Sequence, residues 1–341
     1  MHENEKVGVL LMNTGTTDAP RPAETRVYLR QFLSDPRVLD INPIKRWLVL
    51  NLFILPTRPK KSAHAYSQIW TEQGSPLLVI SRELARALKD RMPHAEFAVG
   101  MRYGNPSIES GLEELIAQRV DRIIVAPLFP QYSSAATGST LEVVYRYCAK
   151  PWNVPAISAL PDFFDEPAFI DSWIAVTRPL LDAFKADHVL MSYHGLPERQ
   201  VRKSDLSGSH CLASENCCDR MTGPNRYCYR AQCFATSRAL GKSLGLDETQ
   251  YSVSFQSRLG RDPWIRPYTD EVIPQLASAG VKRLAVMCPA FTADCLETLE
   301  EIGLRAKSDF LTAGGEAFQF VPSLNAHPVW VDALAGMLKR Y

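Results

Sequence analysis

The sequence predicts an α/β protein made of two similar lobes, each built on a parallel sheet, with a cleft between the lobes. Short apolar runs alternate with amphipathic stretches along most of the 341 residues. This alternation is typical of parallel sheets that helices cover on both faces. The order also occurs twice, since VGVLLMNTG at 7–15 is echoed by HVLMSYHG at 188–195 and RIIVAPL at 122–128 by RLAVMCPA at 283–290.

The individual elements follow from the same pattern. Buried strands are short, apolar and often end in turn residues, and we predict them at 7–15, 122–130, 187–195, 251–257 and 283–291. Amphipathic periodicity predicts helices at 81–92, 108–118, 233–245, 269–280 and 328–338. A proline in the first turn supports the last of these helices.

The repeat also predicts the domain boundaries. We expect a first lobe at 1–160 plus 322–341 and a second lobe at 161–321. The first lobe contains a long insertion around 35–75, and the second contains a cysteine-rich insertion at 204–233.

Ligands of open parallel sheets bind beyond the carboxyl ends of the strands. The segments expected near one cleft are therefore Asn13–Thr16, Pro130–Ser134, His194 and Pro289–Asp294.

Composition excludes several classes of function. Hydrophobic residues make up 46% and charged residues 22%, with a formal net charge of +1, so no basic excess favours nucleic acid. No apolar run reaches the roughly 18 residues of a membrane span, and the N-terminal segment lacks a signal-peptide pattern. We therefore expect a cytoplasmic protein, whose clustered cysteines bind metal or do redox work more often than they form disulfides.

Two groups of side chains suggest proton or metal chemistry. His194 ends a predicted strand at the ligand edge, where an imidazole can transfer protons near neutral pH. Asp294, Glu297 and Glu301 are spaced three and four residues apart and would share one side of a helix starting near Thr292. Taken alone, a histidine at such a position is as often a structural residue as a catalytic one. The acids alone are more typical of a helix start and a solvated face.

The stretch NPIKRWLVLNLFILPTRPKK at 42–61 contains an apolar block flanked by basic residues. It is too short to span a bilayer. Two interpretations explain it equally well. One is a buried helix, and the other is an exposed apolar lip that receives an apolar planar ligand or contacts a membrane surface.

Several longer motifs together resemble the ferrochelatase family over residues 5–340. They are LLMNTGT at 10–16, QGSPL at 73–77, GMRYGNPS at 100–107, PLFPQYSSAATGS at 127–139, SYHGLP at 192–197, SFQSRLGRDPWIRPYTD at 254–270 and CPAFTADCLETLEEI at 288–302. The resemblance implies two Rossmann-like, chelatase-type lobes that bind no nucleotide, and no GxGxxG motif occurs here. It also implies an enzyme that inserts Fe²⁺ into protoporphyrin IX to make protohaem.

The resemblance implies roles for particular residues. His194 matches the catalytic histidine, and Glu297 matches the glutamate that faces it across the porphyrin. Asp294 and Glu301 extend the acidic row as a path for iron or protons. The matching pocket positions are Thr14, where much of the family has a tyrosine, Val38, where some members have a methionine, Arg102, Tyr103, Tyr132 and Ser133.

The chemistry fits these groups. Metal insertion removes two pyrrole protons, and a rigid cleft that distorts the ring exposes its nitrogen lone pairs. We expect His194 to take the protons and Glu297, Glu301 and Asp294 to guide iron, although the two roles could be exchanged. Arg or Lys at the lip would meet the propionates. The alternatives are a chelatase for cobalt, nickel or coproporphyrin III, and a non-catalytic binder of haem or iron.

The cysteine-rich insertion holds five of eight cysteines, with the spacing Cys211-x5-Cys217-Cys218-x9-Cys228-x4-Cys233. It lacks CxxC pairs, so it is not a zinc-ribbon pattern. Some family members carry a [2Fe–2S] cluster, and the resemblance implies one here, with Cys211, Cys217, Cys218 and Cys228 as ligands and Cys233 in reserve. Zinc bound by four thiolates, free thiols and a disulfide are the alternatives.

Overall fold

The structure is a computed structural model that describes residues 5–260 and 262–341. The chain forms two compact units. The first comprises Met1–Phe129, Ser134–Pro161 and Val331–Tyr341, and the second comprises Pro130–Ser133 and Asp162–Trp330. Relative to the predicted boundaries, the main differences are 130–133 and 322–330, which belong to the second unit.

Each unit contains a four-stranded parallel sheet, and the two sheets have the same strand order, β2-β1-β3-β4 and β6-β5-β7-β8. The strands of the first unit are β1 Val7–Gly15, β2 Ala95–Tyr103, β3 Arg122–Pro127 and β4 Ala156–Ala159. Those of the second are β5 His188–His194, β6 Tyr251–Gln256, β7 Arg283–Met287 and β8 Ala317–Phe320. The repeated order confirms the repeated α/β pattern of the sequence.

Helices connect the strands. Those before β5 are α1 Pro22–Ser34, α2 Pro43–Leu48, α3 Leu55–Ile69, α4 Pro76–Arg91, α5 Ile108–Ala117, α6 Ser139–Cys148 and α7 Pro167–Phe184. Those after it are α8 Glu198–Lys203, α9 Tyr229–Leu244, α10 Thr269–Ser278, α11 Lys307–Thr312 and α12 Pro328–Leu338. Within the described residues, the wider turn of a π-helix occurs at Val49–Ile54, Ser134–Gly138 and Glu297–Ala306.

The cores of the two units lie between the sheets and their helices. In the first unit, Leu10 of β1 and Val125 of β3 pack with Leu112 and Leu115 of α5. In the second, Leu190 of β5 and Val286 of β7 belong to an equivalent cluster, with Ile273, Ile302 and Phe310 from the covering helices. The central strands are almost wholly apolar because helices cover both of their faces.

Gly15 at the end of β1 is required by the close approach of β2. Its φ is +111°, a conformation that other residues avoid, and an added Cβ would lie 1.8 Å from the Tyr103 carbonyl oxygen. Only glycine lets the chain leave the sheet at this point. The turn that follows begins directly beside the predicted site residue Thr14.

Residues 42–61, which we call the apolar lip, are helical but not buried. Four of the large apolar side chains face solvent, with exposed fractions of 71% for Ile44, 61% for Trp47, 57% for Leu52 and 69% for Phe53. This excludes the buried-helix interpretation for the segment as a whole. Among the described residues, no helix combines the length and hydropathy that crossing a bilayer requires.

Candidate active site

His194 is the last residue of β5, as the sequence predicts. Its Nδ1 lies 2.7 Å from the Gly195 carbonyl oxygen, and because a carbonyl can only accept, Nδ1 carries the proton. The lone pair of the neutral ring is then on Nε2. The half-buried ring has two aromatic neighbours, with ring centroids 6.4 Å away at Trp264 and 6.5 Å away at Phe291.

The β5–β6 register connects His194 to the acidic residues. His194 pairs with Gln256 at the end of β6, and the buried Gln256 amide Nε2 donates to the Glu297 carbonyl oxygen at 2.8 Å and to Glu301 Oε2 at 3.4 Å. Gln256 Oε1 accepts from Ser192 Oγ at 2.8 Å. A single amide therefore connects the histidine strand to the helix that carries the two glutamates.

Glu301 is tightly held at this edge. Ser257 donates to it twice, from its backbone N–H at 2.9 Å and from its Oγ at 2.5 Å, and Arg305 lies 3.9 Å away. Ser257 has a φ of +67°, a left-handed conformation that aims its N–H at the carboxylate. The oxygens of Glu301 are thus largely occupied.

The acidic row is not on one helix, so the predicted helix start near Thr292 is wrong. The helix of the glutamates is the π-helix Glu297–Ala306, and Asp294 precedes it. The buried Asp294 accepts hydrogen bonds from Thr298 Oγ1 at 2.9 Å, Ser323 N at 3.2 Å and Asn325 Nδ2 at 2.8 Å. These long-range contacts, rather than a helix cap at 292, fix the segment.

Glu297 is the member of the row whose carboxylate is least engaged. It is half-buried in the first turn of the π-helix. Gln256 donates to its backbone carbonyl, and the Cys295 thiol is hydrogen-bonded to its side chain. Burial and the Glu297 carboxylate raise the pKa of that thiol, which therefore stays protonated beside it. The Glu297 carboxylate thus carries fewer hydrogen bonds than those of Glu301 and Asp294.

Two predicted pocket residues of the first unit belong to a buried polar network. Asp35 Oδ2 accepts from Arg102 NH2 at 2.6 Å, from Tyr103 OH at 2.8 Å and from Ser139 Oγ at 2.5 Å. Arg102 also donates to Ser139 Oγ at 2.6 Å. The Tyr103 side chain is only 2% exposed. Both side chains are thus committed to Asp35, and their assignment to a porphyrin pocket stays a prediction.

The other pocket residues are distributed over both units. Thr14 is half-buried near the end of β1, and Val38 packs against a small apolar cluster formed by Leu33, Leu50 and Leu55. Tyr132 and Ser133 belong to the second unit. The Tyr132 ring lies 5.2 Å, centroid to centroid, from that of Tyr227 in the cysteine-rich insertion.

The cysteine-rich insertion, residues 204–233, gathers its thiols in its interior. Cys211, Cys217, Cys218 and Cys228 are all buried, and the sulfurs of Cys217 and Cys218 are 3.7 Å apart. Burial raises the pKa of Cys211 and Cys217, and a hydrogen bond with Cys228, together with burial, raises that of Cys218. The thiols of Cys211, Cys217 and Cys218 are thus protonated, and metal binding would have to displace those protons.

The thiols do not form a ready ligand cage. All eight cysteines are unbridged, which rules out the disulfide alternative. Throughout 5–260 and 262–341, no set of three or more His, Cys, Asp or Glu side chains is arranged to hold a metal ion. The donor types and their burial fit a thiolate-bound metal group, but the side-chain arrangement itself does not support the predicted [2Fe–2S] cluster. The reserve residue, Cys233, is completely buried in the first turns of α9.

Several residues of the site were not predicted individually. Gln256, Ser257 and Trp264 fall within the quoted motif SFQSRLGRDPW, so the motif marked the region without revealing their contacts. Asp35 had no signal, because an aspartate after a helix looks like an ordinary turn residue.

The fold is that of chelatases. The solved structure of SirB from Bacillus subtilis with Fe³⁺ superposes with a TM-score of 0.55 at 12% identity, covering 98% of this chain and 95% of SirB. The sirohydrochlorin chelatase SirB from Bacillus subtilis subspecies spizizenii, in complex with cobalt, gives a TM-score of 0.51 at 12% identity over 98% and 94% of the two chains. At this identity the likeness defines the fold alone: a chelatase-type α/β protein.

The family follows from closer relatives. The ferrochelatase family model matches residues 6–341. A ferrochelatase of Coxiella burnetii is 49% identical over 339 residues, covering 99% of this chain and 94% of the relative. One of Pseudomonas aeruginosa is 47% identical over 335 residues, covering 97% of each chain. The chain belongs to the ferrochelatase family, and it is a metal-inserting enzyme of protohaem synthesis.

We expect Asp35→Asn to destabilise the protein by about 2 kcal/mol at pH 7, because it removes the buried charge that accepts hydrogen bonds from Tyr103, Ser139 and the half-buried Arg102. Burial alone would raise the pKa of Asp35, but hydrogen bonds from Ser139, Arg37 N–H and Tyr103 and the Arg102 charge lower it below its usual 3.8. The stabilisation is therefore complete above pH 3.8 and is lost as the pH falls through the folded-state pKa. Urea unfolding at pH 7 and below pH 3 measures the difference in unfolding free energy between wild type and Asp35→Asn, which should be smaller at the lower pH.

Asp332→Asn is the matched control for that experiment. Asp332 also pairs with an arginine at 2.6 Å, Arg91, but its side chain is 59% exposed. An exposed pair contributes at most about 1 kcal/mol. Equal losses of unfolding free energy for the two variants would contradict a stabilising role of the buried Asp35 network.

Proposed function

We propose that His194 accepts the pyrrole protons when ferrous iron enters protoporphyrin IX. The reaction exchanges two ring protons for one Fe²⁺ and yields protohaem and two protons. The observation that carries the proposal is the hydrogen bond from Nδ1 to the Gly195 carbonyl, because it leaves the Nε2 lone pair as the acceptor. The aromatic neighbours Trp264 and Phe291 supply apolar walls that suit a flat macrocycle.

We assign the acidic residues different parts. Glu297 is the carboxylate that delivers iron or receives protons, because its oxygens are the least engaged. Glu301 anchors the π-helix to Ser257 and Gln256, and Asp294 anchors the preceding segment to Ser323 and Asn325. Both thereby position Glu297 rather than carry the metal themselves, which revises the equal roles expected for the row.

Thr14, Val38, Tyr132 and Ser133 retain a proposed part in porphyrin binding. Tyr132 is the strongest of these, since its half-buried ring already packs on another aromatic ring. For Arg102 and Tyr103 the contacts to Asp35 support a structural part instead. The propionates would then be met by other cations, such as those of the apolar lip.

We expect His194→Ala to lower kcat for iron insertion by about 100-fold or more, which is the usual contribution of a proton acceptor. His64→Ala is the control, because His64 is an exposed histidine on α3. The assay mixes protein, Fe²⁺ and protoporphyrin IX without oxygen and follows the free-base absorbance as haem bands replace it. Near-normal turnover of a folded His194→Ala variant would overturn the proton-acceptor role.

The same assay separates the competing functions. A non-catalytic binder would leave the free-base spectrum unchanged with wild-type protein. A chelatase for another substrate would use coproporphyrin III, cobalt or nickel with a higher kcat/KM than protoporphyrin and iron. The family favours protoporphyrin and Fe²⁺, and this comparison tests that preference directly.

We also propose that the four buried thiols bind a [2Fe–2S] cluster, with Cys211, Cys217, Cys218 and Cys228 as ligands. Their shared burial supports this. The 3.7 Å separation of the Cys217 and Cys218 sulfurs is close to the roughly 3.8 Å expected for two thiolates on one tetrahedral metal at about 2.3 Å. The four side chains as a set are not arranged as a ligand cage, so binding the cluster would have to rearrange them. Arg230 NH1 lies 3.0 Å from Cys218 Sγ and would neutralise part of the thiolate charge. When bound, such a cluster would cross-link the insertion.

Protein purified without oxygen should then contain two irons per chain and absorb at about 400–600 nm. Cys228→Ser should lose both signals, because thiolate is the normal ligand of such clusters, while Cys148→Ser should keep them, since Cys148 lies apart in the first unit. Metal analysis measures iron and zinc together. One zinc per chain in a colourless protein would replace the cluster with the four-thiolate zinc site.

Finally, we propose a cytoplasmic protein whose apolar lip contacts the inner face of the membrane. The exposed side chains of Trp47 and Phe53 would enter the interface. The exposed Lys45, Arg58 and Lys60 form no ion pair among the described residues and would meet anionic headgroups.

We expect Trp47→Ala plus Phe53→Ala to reduce binding to phosphatidylglycerol vesicles at least several-fold, because each lost ring removes apolar area from the interface. Trp152→Ala is the matched control, since Trp152 is 98% exposed elsewhere. Vesicle co-sedimentation measures the bound fraction. If vesicles bind neither protein but the double variant has a raised KM for porphyrin, the lip receives the ligand instead.

A further inference from the structure

Residues at the end of the cysteine-rich insertion hold Tyr132 in place. Its backbone N–H donates to Gln232 Oε1 at 2.6 Å, and its ring packs on Tyr227 at an interplanar angle of 56°. Both backbone and side chain of Tyr132 are therefore held by one short stretch of chain. That stretch joins the last turn of the insertion to the start of α9.

Gln232 makes the central hydrogen bonds of this arrangement. It is completely buried, and its amide Nε2 donates to Asp162 Oδ2 and to the Arg226 carbonyl oxygen, both at 2.9 Å. The amide thus uses its acceptor for Tyr132 and its donors for two other segments. A buried amide satisfied on all sides has one orientation, because any rotation leaves polar groups unpaired.

A second contact fixes the residue before Tyr132. Gln131 Nε2 donates to Thr236 Oγ1 at 3.0 Å, and Thr236 Oγ1 lies 2.7 Å from the Phe164 carbonyl oxygen. Thr236 is one turn of α9 beyond Gln232. The first turns of α9 therefore form hydrogen bonds with two successive residues, Gln131 and Tyr132, of the segment Pro130–Ser133.

Tyr227 completes the arrangement from within the insertion. It lies between Cys218 and Cys228, and Arg226 covers its ring at 5.8 Å. The side chain is 38% exposed, so it supports the Tyr132 ring without enclosing it. Tilted aromatic rings in contact hold each other in a preferred orientation, and each single ring can offer its flat face to an aromatic ligand.

We infer that Tyr227 and Gln232 are positioning residues that set the Tyr132 ring for porphyrin binding, so that the cysteine-rich insertion shapes the substrate site. The inference rests on the proposed function, because it takes Tyr132 as a porphyrin-binding residue. It assigns the insertion a part in substrate recognition that is separate from metal binding. The ligand recognised is a flat aromatic tetrapyrrole.

The test compares substrate constants of Tyr227→Ala with those of wild type. Loss of the supporting ring should raise the KM for protoporphyrin by about 3- to 10-fold, with kcat within about twofold. The KM for Fe²⁺ should not change, because the iron-delivering residues are on other elements. Tyr227→Phe should restore the wild-type KM, since it keeps the ring. Tyr145→Ala, which removes a 57% exposed tyrosine in the first unit, is the control.

A double variant tests the coupling. Tyr132→Ala should raise the porphyrin KM, and adding Tyr227→Ala should raise it no further, because the second ring acts through the first. Metal content of Tyr227→Ala should equal that of wild type. A KM rise seen only in preparations that have lost metal would overturn the inference.

Different results would overturn the proposed function and the positioning role of Tyr227. If wild-type protein inserts no iron into protoporphyrin, the proposed function is wrong. If wild type is active but Tyr227→Ala leaves the porphyrin KM unchanged in a folded protein, the proposed function stands and the positioning role is wrong.

Discussion

The parallel pairing of β5 with β6 is the interaction on which the candidate site depends. It ends with His194 beside Gln256, and the Gln256 amide then reaches the first turn of the π-helix through the Glu297 carbonyl. The strand that ends in the histidine and the helix that carries the glutamates are joined by two hydrogen bonds of one side chain. Residues far apart in the sequence thus meet because carboxyl ends of parallel strands share one edge of a sheet.

The fold was largely predictable from the sequence, and its misses have local causes. Apolar runs and helical periodicity located the central strands, and α12 was predicted to the residue. The short outer strands β4 and β8 were missed because AISA and AFQF are only four residues long and largely half-buried. The longer edge strand β2 was missed as well, because Glu96 and Arg102 interrupt its apolar run. The π-helical turns could not be predicted, since nothing in residue type distinguishes them from α-helical turns.

The site was predictable in its residue types but not in its partnerships. His194 stood out by its position at a strand end. Asp294 was taken for part of a helical row, because its real partners, Ser323 and Asn325, are distant in sequence. The assignment of Arg102 and Tyr103 to a porphyrin pocket stays a prediction, and the sequence could not show that the buried Asp35 engages both side chains. Hydrogen bonds between residues far apart in the sequence leave no pattern from which they could be predicted.

The attachment of the apolar lip has a consequence for its motion. Its buried side chains Leu50 and Leu55 form a small satellite cluster with Leu33, separate from the core beneath the sheet, and a few half-buried apolar side chains pack against it. Regions with few buried apolar contacts open at a fraction of the free energy that unfolds the whole domain. We therefore expect residues 42–61 to open locally at a lower free energy than the sheet, so that the edge of the unit can adapt while its core stays folded.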